Sequence, residues 1–334
     1  MSGLRVAVIG VGHLGQHHAR LLASIEGVEL VGICDTNPSR AAEITAKFGG
    51  ESFGDVRDLL RRVDAVTIAA PTISHVELAL PFLEAGIATL VEKPIASSVE
   101  DAERLIDAAE RGGAVLATGH TERFNPAVAA ALPLIAEPRF IEIHRLGTFP
   151  ERSLDIDVIF DLMIHDLDLL LAVVKSEVAS IEAVGVDVLT PKADIANARL
   201  RFASGCIANV TASRISRERV RKARFFQKDA YVSIDYAAQE LEMYRLVQQP
   251  SGNARDGLSA VEGHGARPII HGGKVDVPRE EPLRRELEDF VDAVRTGRSP
   301  GVTGRDGRDA LALATRVADK MERELHRDTE TQRT

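Results

Sequence analysis

The chain opens with a short apolar run that leads directly into a glycine-rich turn. Residues 6–9 are followed by Gly10-Val11-Gly12-His13-Leu14-Gly15, and a helical pattern covers 13–25. In such a turn the first glycine allows the tight bend, the second a close approach of backbone to ligand, and the third close packing of helix on strand. The free N–H groups at the start of the helix suit a pyrophosphate. The turn therefore predicts a dinucleotide-binding unit at the start of the chain.

Short apolar strands alternate with helical stretches as far as residue 120. Strand patterns lie at 5–9, 28–34, 65–69, 88–91 and 115–118, and the helical patterns between them lie at 13–25, 38–47, 74–85 and 99–112. Continuous apolar strands that alternate with helices indicate a parallel sheet covered on both faces. Residues 1–120 are therefore predicted to form an α/β Rossmann domain, doubly wound.

After residue 120 the pattern changes to that of an α+β domain, predicted over 121–334. Helical patterns lie at 126–136, 157–174, 282–296 and 305–323, strands at 140–146, 197–202, 206–213, 222–227, 230–235 and 241–247, and a mobile loop at 249–266. Period-two alternation in these strands predicts a mainly antiparallel sheet. An open sheet of this kind needs cover, so this domain is predicted to bind substrate and to build a homodimer or homotetramer.

The residues that follow the second and third strands indicate which dinucleotide is bound. Asp35 ends the second strand, where a carboxylate accepts hydrogen bonds from the adenine ribose and disfavours a 2′-phosphate. Arg40 lies five residues later and leaves NADP open, but we expect NAD. Contacts near the nicotinamide are predicted for three residues after the third strand: Pro71, Thr72 and His75.

Two further motifs offer groups for proton chemistry. Glu92-Lys93-Pro94 ends the strand at 88–91, and Pro94 lacks the N–H that would continue strand pairing. Lys93 is therefore expected at the carboxyl edge of the sheet, where open α/β sheets bind ligands. Asp161 and His165 are four residues apart, which places them on one face of a helix. A histidine that is oriented by a carboxylate is a suitable proton carrier.

Composition excludes several classes of partner. A formal net charge of −9 gives no basis for nucleic-acid affinity of the whole molecule. The two cysteines, Cys34 and Cys206, fit neither a disulfide framework nor a metal site. No apolar run is long enough to cross a bilayer, and the first strand begins too close to Met1 for a signal peptide. We therefore expect a cytoplasmic protein that binds no metal and no membrane.

Together the glycine turn, Glu92-Lys93-Pro94 and the Asp161/His165 pair resemble the Gfo/Idh/MocA oxidoreductases, over nearly the whole chain. The resemblance implies the reversible oxidation of a secondary alcohol on a sugar or cyclitol by a nicotinamide cofactor. His165 is then the acid/base, oriented by Asp161, and Lys93 polarises the substrate oxygen. A neutral Lys93 is the alternative base. Glu92 would support Lys93 or the nicotinamide.

Two polar segments bear on the substrate. Arg123 and Asn125, after the last Rossmann strand, are predicted to contact it. The stretch 214–228 is rich in cations, and is either a solvated strand edge or a diphosphate site; it contains Arg214, Arg217, Arg219, Arg221, Lys222, Arg224 and Lys228.

The overall pattern is most similar to the nucleotide-sugar branch of the family. That similarity implies oxidation of UDP-N-acetylglucosamine to its 3-keto form. A dehydrogenase of free sugars or inositol is one alternative. The other is a dinucleotide-binding regulator without catalytic activity.

Overall fold

A computed structural model describes residues 3–149, 156–247 and 269–331. The first six strands form a parallel sheet in the order β3-β2-β1-β4-β5-β6. They are β1 (Leu4–Ile9), β2 (Val28–Cys34), β3 (Glu51–Phe53), β4 (Ala65–Ile68), β5 (Ala88–Glu92) and β6 (Leu116–Gly119). The order reverses at β1 and β4, so the predicted doubly wound Rossmann domain is confirmed. The sequence pattern missed β3, which is a three-residue edge strand.

Helices cover both faces of this sheet: α1 (Gly15–Leu22), α2 (Pro38–Phe48), α3 (His75–Glu84) and α4 (Val99–Gly112). Local chemistry fixes where two of them begin. The Asn37 side chain accepts hydrogen bonds from the first-turn N–H groups of α2, and the Ser98 side chain accepts one from the N–H of Asp101 in α4. The first helix is shorter than the predicted 13–25 because residues 10–14 form the turn.

The second sheet has eight strands in the order β14-β13-β12-β11-β7-β10-β9-β8. They are β7 (Phe140–Leu146), β8 (Val178–Val186), β9 (Ile195–Phe202), β10 (Ile207–Ser213), β11 (Val220–Phe226), β12 (Ala230–Asp235), β13 (Glu240–Val247) and β14 (Ile269–Val275). Every neighbouring pair is antiparallel except β7 and β10. The predicted mainly antiparallel sheet is therefore confirmed. The predicted loop at 249–266 lies outside the described residues.

One face of the second sheet is packed and the other is open. On β9, Ala198 and Leu200 are buried, whereas Asn197, Arg199 and Arg201 are exposed. The buried face packs against α6 (Ile164–Val174), and the short helix α5 (Pro126–Ala131) joins the same core.

Two C-terminal helices, α7 (Pro282–Thr296) and α8 (Gly304–Thr331), connect the two sheets. Leu287 of α7 belongs to the same core cluster as Val6 and Val8 of β1. Leu311 of α8 packs in the Rossmann core, whereas Val317 packs in the core of the second sheet. The C-terminal helices thus contact both parts of the molecule. The division at residue 120 remains a prediction.

The described residues contain neither a membrane-spanning helix nor a metal-binding cluster. No helix among them has the length and apolarity needed to span a bilayer. No group of three or more His, Cys, Asp or Glu residues in that part of the chain is placed to hold a metal ion. The cytoplasmic location remains a prediction.

Candidate active site

The three glycines of the first turn meet different surroundings. Gly10 has φ +79°, and a Cβ on it would lie 2.8 Å from the N atom of Ala70. A Cβ on Gly15 would lie 1.8 Å from the carbonyl oxygen of Gly10, so helix and strand pack too closely for any side chain. A Cβ on Gly12 would meet no described atom within 4 Å. The turn therefore leaves open space at Gly12, where a pyrophosphate needs to approach the backbone. His13 and Leu14 complete this turn ahead of α1.

This difference predicts two separable outcomes. Gly12→Val is expected to keep the melting temperature and to weaken NADH binding by about 10- to 100-fold, because its side chain occupies the ligand's space. Gly15→Ala is expected to lower the melting temperature instead. NADH fluorescence titration and thermal unfolding measure the two effects. A Gly12→Val protein with wild-type NADH affinity would contradict this placement of the cofactor.

Asp35 and Arg40 both lie against the glycine turn. The Asp35 carboxylate accepts the N–H groups of Val11 and Asn37, each at 2.8 Å. A carboxylate has further lone pairs, so Asp35 can also accept ribose hydroxyls. The Nε of Arg40 donates to the carbonyl of Val11 at 2.9 Å, and its terminal nitrogens contact Gln16 and Glu43. Its guanidinium is therefore already engaged, as expected of a site for NAD rather than NADP.

The residues after β4 divide into exposed and buried ones. Pro71 is exposed and Thr72 partly exposed, so both are accessible at the carboxyl end of β4. His75 is 1% exposed, and its ring nitrogens lie 3.0 Å from the carbonyl oxygen of Pro94 and 2.9 Å from that of Ala70. The structure therefore corrects the predicted cofactor contact of His75. His75 instead joins the loop after Lys93 to the loop after β4.

Lys93 and Asp161 are in direct contact, although 68 residues separate them in the chain. The Lys93 Nζ donates to the Asp161 carbonyl at 2.6 Å and lies 3.6 Å from its Oδ1. Burial lowers the pKa of Lys93, and the Asp161 carboxylate opposes that shift. The structure thus places an ammonium of lowered pKa at the carboxyl end of β5.

Asp161 and His165 are not placed as an α-helical spacing requires. Residues Ile159–Met163 form a π-helical turn ahead of α6, and such a turn rotates the residues before it relative to those after it. The Nδ1 of His165 is buried without a hydrogen-bond partner in the described part of the chain. Among the described residues Asp161 contacts Lys93 and makes no hydrogen bond to His165, so the steering of His165 by Asp161 stays a prediction. Burial, with the charges of Lys93 and Arg145 next in size, lowers the pKa of His165 well below its usual value.

A second histidine, not predicted, packs edge-on against His165. The ring centroid of His120 lies 5.9 Å from that of His165, with an angle of 90° between the planes. His120 is 1% exposed, and neither ring nitrogen has a partner among the described residues. Burial lowers its pKa to about 3. His120 is thus a neutral ring that backs His165, and its place after β6, at the same sheet edge as Lys93, was the available sequence signal.

Glu92 supports Lys93 from inside the protein. Its Oε2 accepts the backbone N–H of Lys93 at 3.2 Å, and its Oε1 lies 3.1 Å from the Nε2 of His18 in α1. A Cβ on Gly119 would lie 2.6 Å from the Glu92 carboxyl group, so only glycine fits beside it. Glu92 is 5% exposed, which corrects its predicted contact with the cofactor. Of the two predicted roles, the geometry supports the one toward Lys93.

A buried ion network that the sequence did not reveal lies next to His165. Arg145 of β7 donates to both carboxylate oxygens of Asp166, at 2.7 and 2.8 Å, and to Glu122 at 3.2 Å. Its guanidinium also lies 5.3 Å from the ring centroid of Tyr236. Bidentate geometry and full pairing are what a buried arginine requires. The network fixes β7 against the helix that presents His165.

The polar atoms of Arg123 and Asn125 contact other residues of the protein, and their contact with substrate stays a prediction. The Arg123 guanidinium lies 3.3 Å from Asp168 and 3.5 Å from Asp306. It lines a cavity of about 1020 Å³ that none of Lys93, Asp161 and His165 lines. Asn125 is 2% exposed. Its amide nitrogen donates to the carbonyl of Tyr236, and its amide oxygen accepts the N–H of Ala127 in α5.

Glu286 of α7 is buried and accepts a hydrogen bond from the Thr121 hydroxyl. Its ionisation makes the free energy of unfolding depend on pH. Burial raises its pKa well above 4.5, so the folded state keeps a proton that the unfolded chain loses. The free energy of unfolding therefore falls as pH rises above 4.5, by up to about 1.4 kcal/mol per pH unit. Glu286→Gln removes this dependence. Urea unfolding of both proteins at several pH values should show the variant gaining relative stability as pH rises, and a constant difference would contradict the shift.

Comparisons with known proteins agree with this geometry. Residues 4–120 match a family described as "Oxidoreductase family, NAD-binding Rossmann fold", and residues 99–230 match the GFO/IDH/MocA C-terminal domain. Over 328 residues the chain is 40% identical to UDP-N-acetylglucosamine 3-dehydrogenase of Acidithiobacillus ferrooxidans, covering 98% of this chain and 100% of that protein. The chain belongs to the Gfo/Idh/MocA oxidoreductase family.

Structure comparison extends the likeness to the fold of this family member. The solved structure of UDP-N-acetylglucosamine 3-dehydrogenase GnnA from Acidithiobacillus ferrooxidans superposes with a TM-score of 0.86 at 39% identity, over 96% of this chain and 98% of that one. Myo-inositol 2-dehydrogenase of Thermotoga maritima is 26% identical over 96% of each chain. The predictions of family, fold class, dehydrogenase activity and NAD as cofactor are confirmed.

Proposed function

We propose that this Gfo/Idh/MocA oxidoreductase oxidises the 3-hydroxyl of UDP-N-acetylglucosamine to a ketone with NAD. One observation carries the proposal: the full-length similarity to a UDP-N-acetylglucosamine 3-dehydrogenase. The contact between Lys93 and Asp161 at the carboxyl edge of the Rossmann sheet also supports the proposal.

The residues of this chain suit the removal of the hydroxyl proton. A histidine of strongly lowered pKa is neutral at physiological pH, so the His165 ring has a free lone pair for the hydroxyl proton, although the same shift makes it a weaker base. The Lys93 ammonium donates to the same substrate oxygen and stabilises the negative charge that develops on it. Asp161 and Glu92 keep Lys93 in place through its Nζ and its backbone N–H. Bound NAD would accept the hydride from the carbon.

A substrate screen tests this proposal. NADH formation is measured with UDP-N-acetylglucosamine, UDP-glucose, glucose and myo-inositol at equal concentrations. We expect UDP-N-acetylglucosamine to give the highest kcat/KM and the free polyols to give none. Activity with free polyols alone would reject the nucleotide-sugar assignment and favour the inositol alternative, which the relative from Thermotoga maritima represents.

We also propose that the open face of the second sheet is covered by another copy of the chain. A row of four aromatic rings crosses this face on neighbouring strands, with centroids 5.0–6.1 Å apart: Phe140, Phe226, Tyr231 and Tyr244. Partly exposed aromatic rows of this kind are typical of protein interfaces. Light scattering is expected to give the mass of a dimer or tetramer, and a monomer at micromolar concentration would refute the proposal.

A further inference from the structure

Two arginines face each other across neighbouring strands beside the candidate active site. Arg221 of β11 is the register partner of Arg145 of β7. Arg145 forms ion pairs with Asp166 and Glu122. Arg221 makes no ion pair or side-chain hydrogen bond with any described residue. Like charges at directly opposed positions destabilise a sheet, and the carboxylates of Glu122 and Asp166, which bind Arg145, act on Arg221 without a direct contact.

Strand alternation gives the direction in which Arg221 points. On β11, Ala223 and Phe225 are buried in the core that α6 joins, and Arg221 shares their face. Lys222 and Arg224 point to the open face, where they pair with Asp235 and Glu142 respectively. Arg221 therefore lies on the His165 side of the sheet, and its charge contributes to the lowered pKa of His165. Unlike Arg145, it is exposed.

Arg221 differs in its pairing from several other cations of the stretch 214–228. Arg214 is 1% exposed and pairs with Asp194 at 2.8 Å, so it serves the fold. Arg219 immediately precedes β11, is exposed, pairs with no described residue, and is close enough for its charge to act on Arg221. Two unpaired guanidinium groups in a chain of net charge −9 form a local site for an anion.

We propose that Arg221, assisted by Arg219, binds the diphosphate of the nucleotide-sugar substrate. This inference rests on the proposed function and assigns its specificity for a nucleotide sugar. A guanidinium matches phosphate oxygens in a two-pronged geometry, whereas a free sugar or cyclitol brings no charge to neutralise. Arg221 and His165 lie on the same side of the sheet. Arg221 would hold the anionic part of the substrate while the ring that is oxidised reaches His165.

The test compares Arg221→Ala with Arg61→Ala, a matched control. Arg61 is also exposed and unpaired among the described residues, but it precedes β4 and so lies at the opposite edge of the Rossmann sheet. Binding of UDP alone is measured by calorimetry, and KM for UDP-N-acetylglucosamine by NADH formation. Arg221→Ala is expected to weaken UDP binding and to raise this KM, each by about 10- to 100-fold, with KM for NAD and kcat within about twofold. Arg221→Lys should recover part of the loss, because it restores charge without the planar fork.

The outcomes separate this inference from the proposed function. Wild-type turnover of UDP-N-acetylglucosamine with an unchanged KM in Arg221→Ala would overturn the role of Arg221 alone. Arg221-dependent UDP binding without any oxidation would overturn the proposed function alone. A wild-type protein that neither binds UDP nor oxidises the nucleotide sugar would overturn both. A loss that is as large in Arg61→Ala would also count against the site, because it would reflect net charge only.

Discussion

Replacing Lys93 with methionine is expected to lower kcat for NAD reduction by about 10²- to 10⁴-fold. Methionine keeps the length and apolar stem of the side chain but removes the ammonium that contacts Asp161 and that we propose binds the substrate oxygen. NADH affinity should stay near the wild-type value, because the glycine turn and Asp35 are unchanged. Steady-state kinetics together with NADH titration measure both quantities.

The matched control is Lys47→Met, on the exposed surface of α2, where Lys47 pairs with Glu43. It should leave kcat unchanged. A Lys93→Met protein that reduces NAD at the wild-type rate would contradict the catalytic role of Lys93 and favour a dinucleotide-binding regulator. A Lys93→Met protein that has lost NADH binding as well would show that Lys93 serves the cofactor rather than the chemistry.

His165→Asn is expected to lower kcat by a similar factor, about 10²- to 10⁴-fold, and to change the pH profile. Because the pKa of His165 lies well below 6.5, the wild-type kcat/KM should be level from pH 6.5 upward. It should then fall as Lys93 loses its proton, at a pH below 10.5 because burial lowers the pKa of Lys93. The variant should keep the fall at high pH and lose most of the rate.

The same profile decides which group is the base. If neutral Lys93 removed the proton, kcat/KM would rise through the pKa of Lys93 and stay high, which is the opposite sign. His165→Asn would then retain a substantial rate. His144→Asn is the control, since His144 lies on β7 and points away from Arg145 by strand alternation. It should leave both the rate and the profile unchanged.

The first domain was largely predictable because its signals are local. The glycine turn, Asp35 and the strand ending at Lys93 each depend on a few adjacent residues, and parallel strands bring their carboxyl ends to one edge. The contact of Lys93 with Asp161 joins two motifs, and the spacing in the sequence did not disclose it. The prediction that Asp161 steers His165 assumed an α-helix at 159–163, and no residue pattern there indicates the π-helical turn.

Pairing over long distances was the main information that the sequence lacked. Arg145, Asp166 and Glu122 satisfy one another although they lie in three separate segments. In the sequence Asn125 and Arg123 resemble residues that contact a substrate. In the fold the Asn125 amide donates to the carbonyl of Tyr236, and the Arg123 guanidinium pairs with Asp168. In the same way, the stretch 214–228 could not be divided until the register of β11 placed Arg221 and Lys222 on opposite faces of the sheet.

The most direct test of the account is the fate of the hydrogen on carbon 3 of the sugar. UDP-N-acetylglucosamine that carries deuterium at that carbon is incubated with the enzyme and NAD, and the NADH is analysed by mass spectrometry. We predict deuterated NADH, a slower rate than with unlabelled substrate, and a loss of both signals in Lys93→Met. Unlabelled NADH, or no NADH from this substrate while a free polyol is oxidised, would contradict the account.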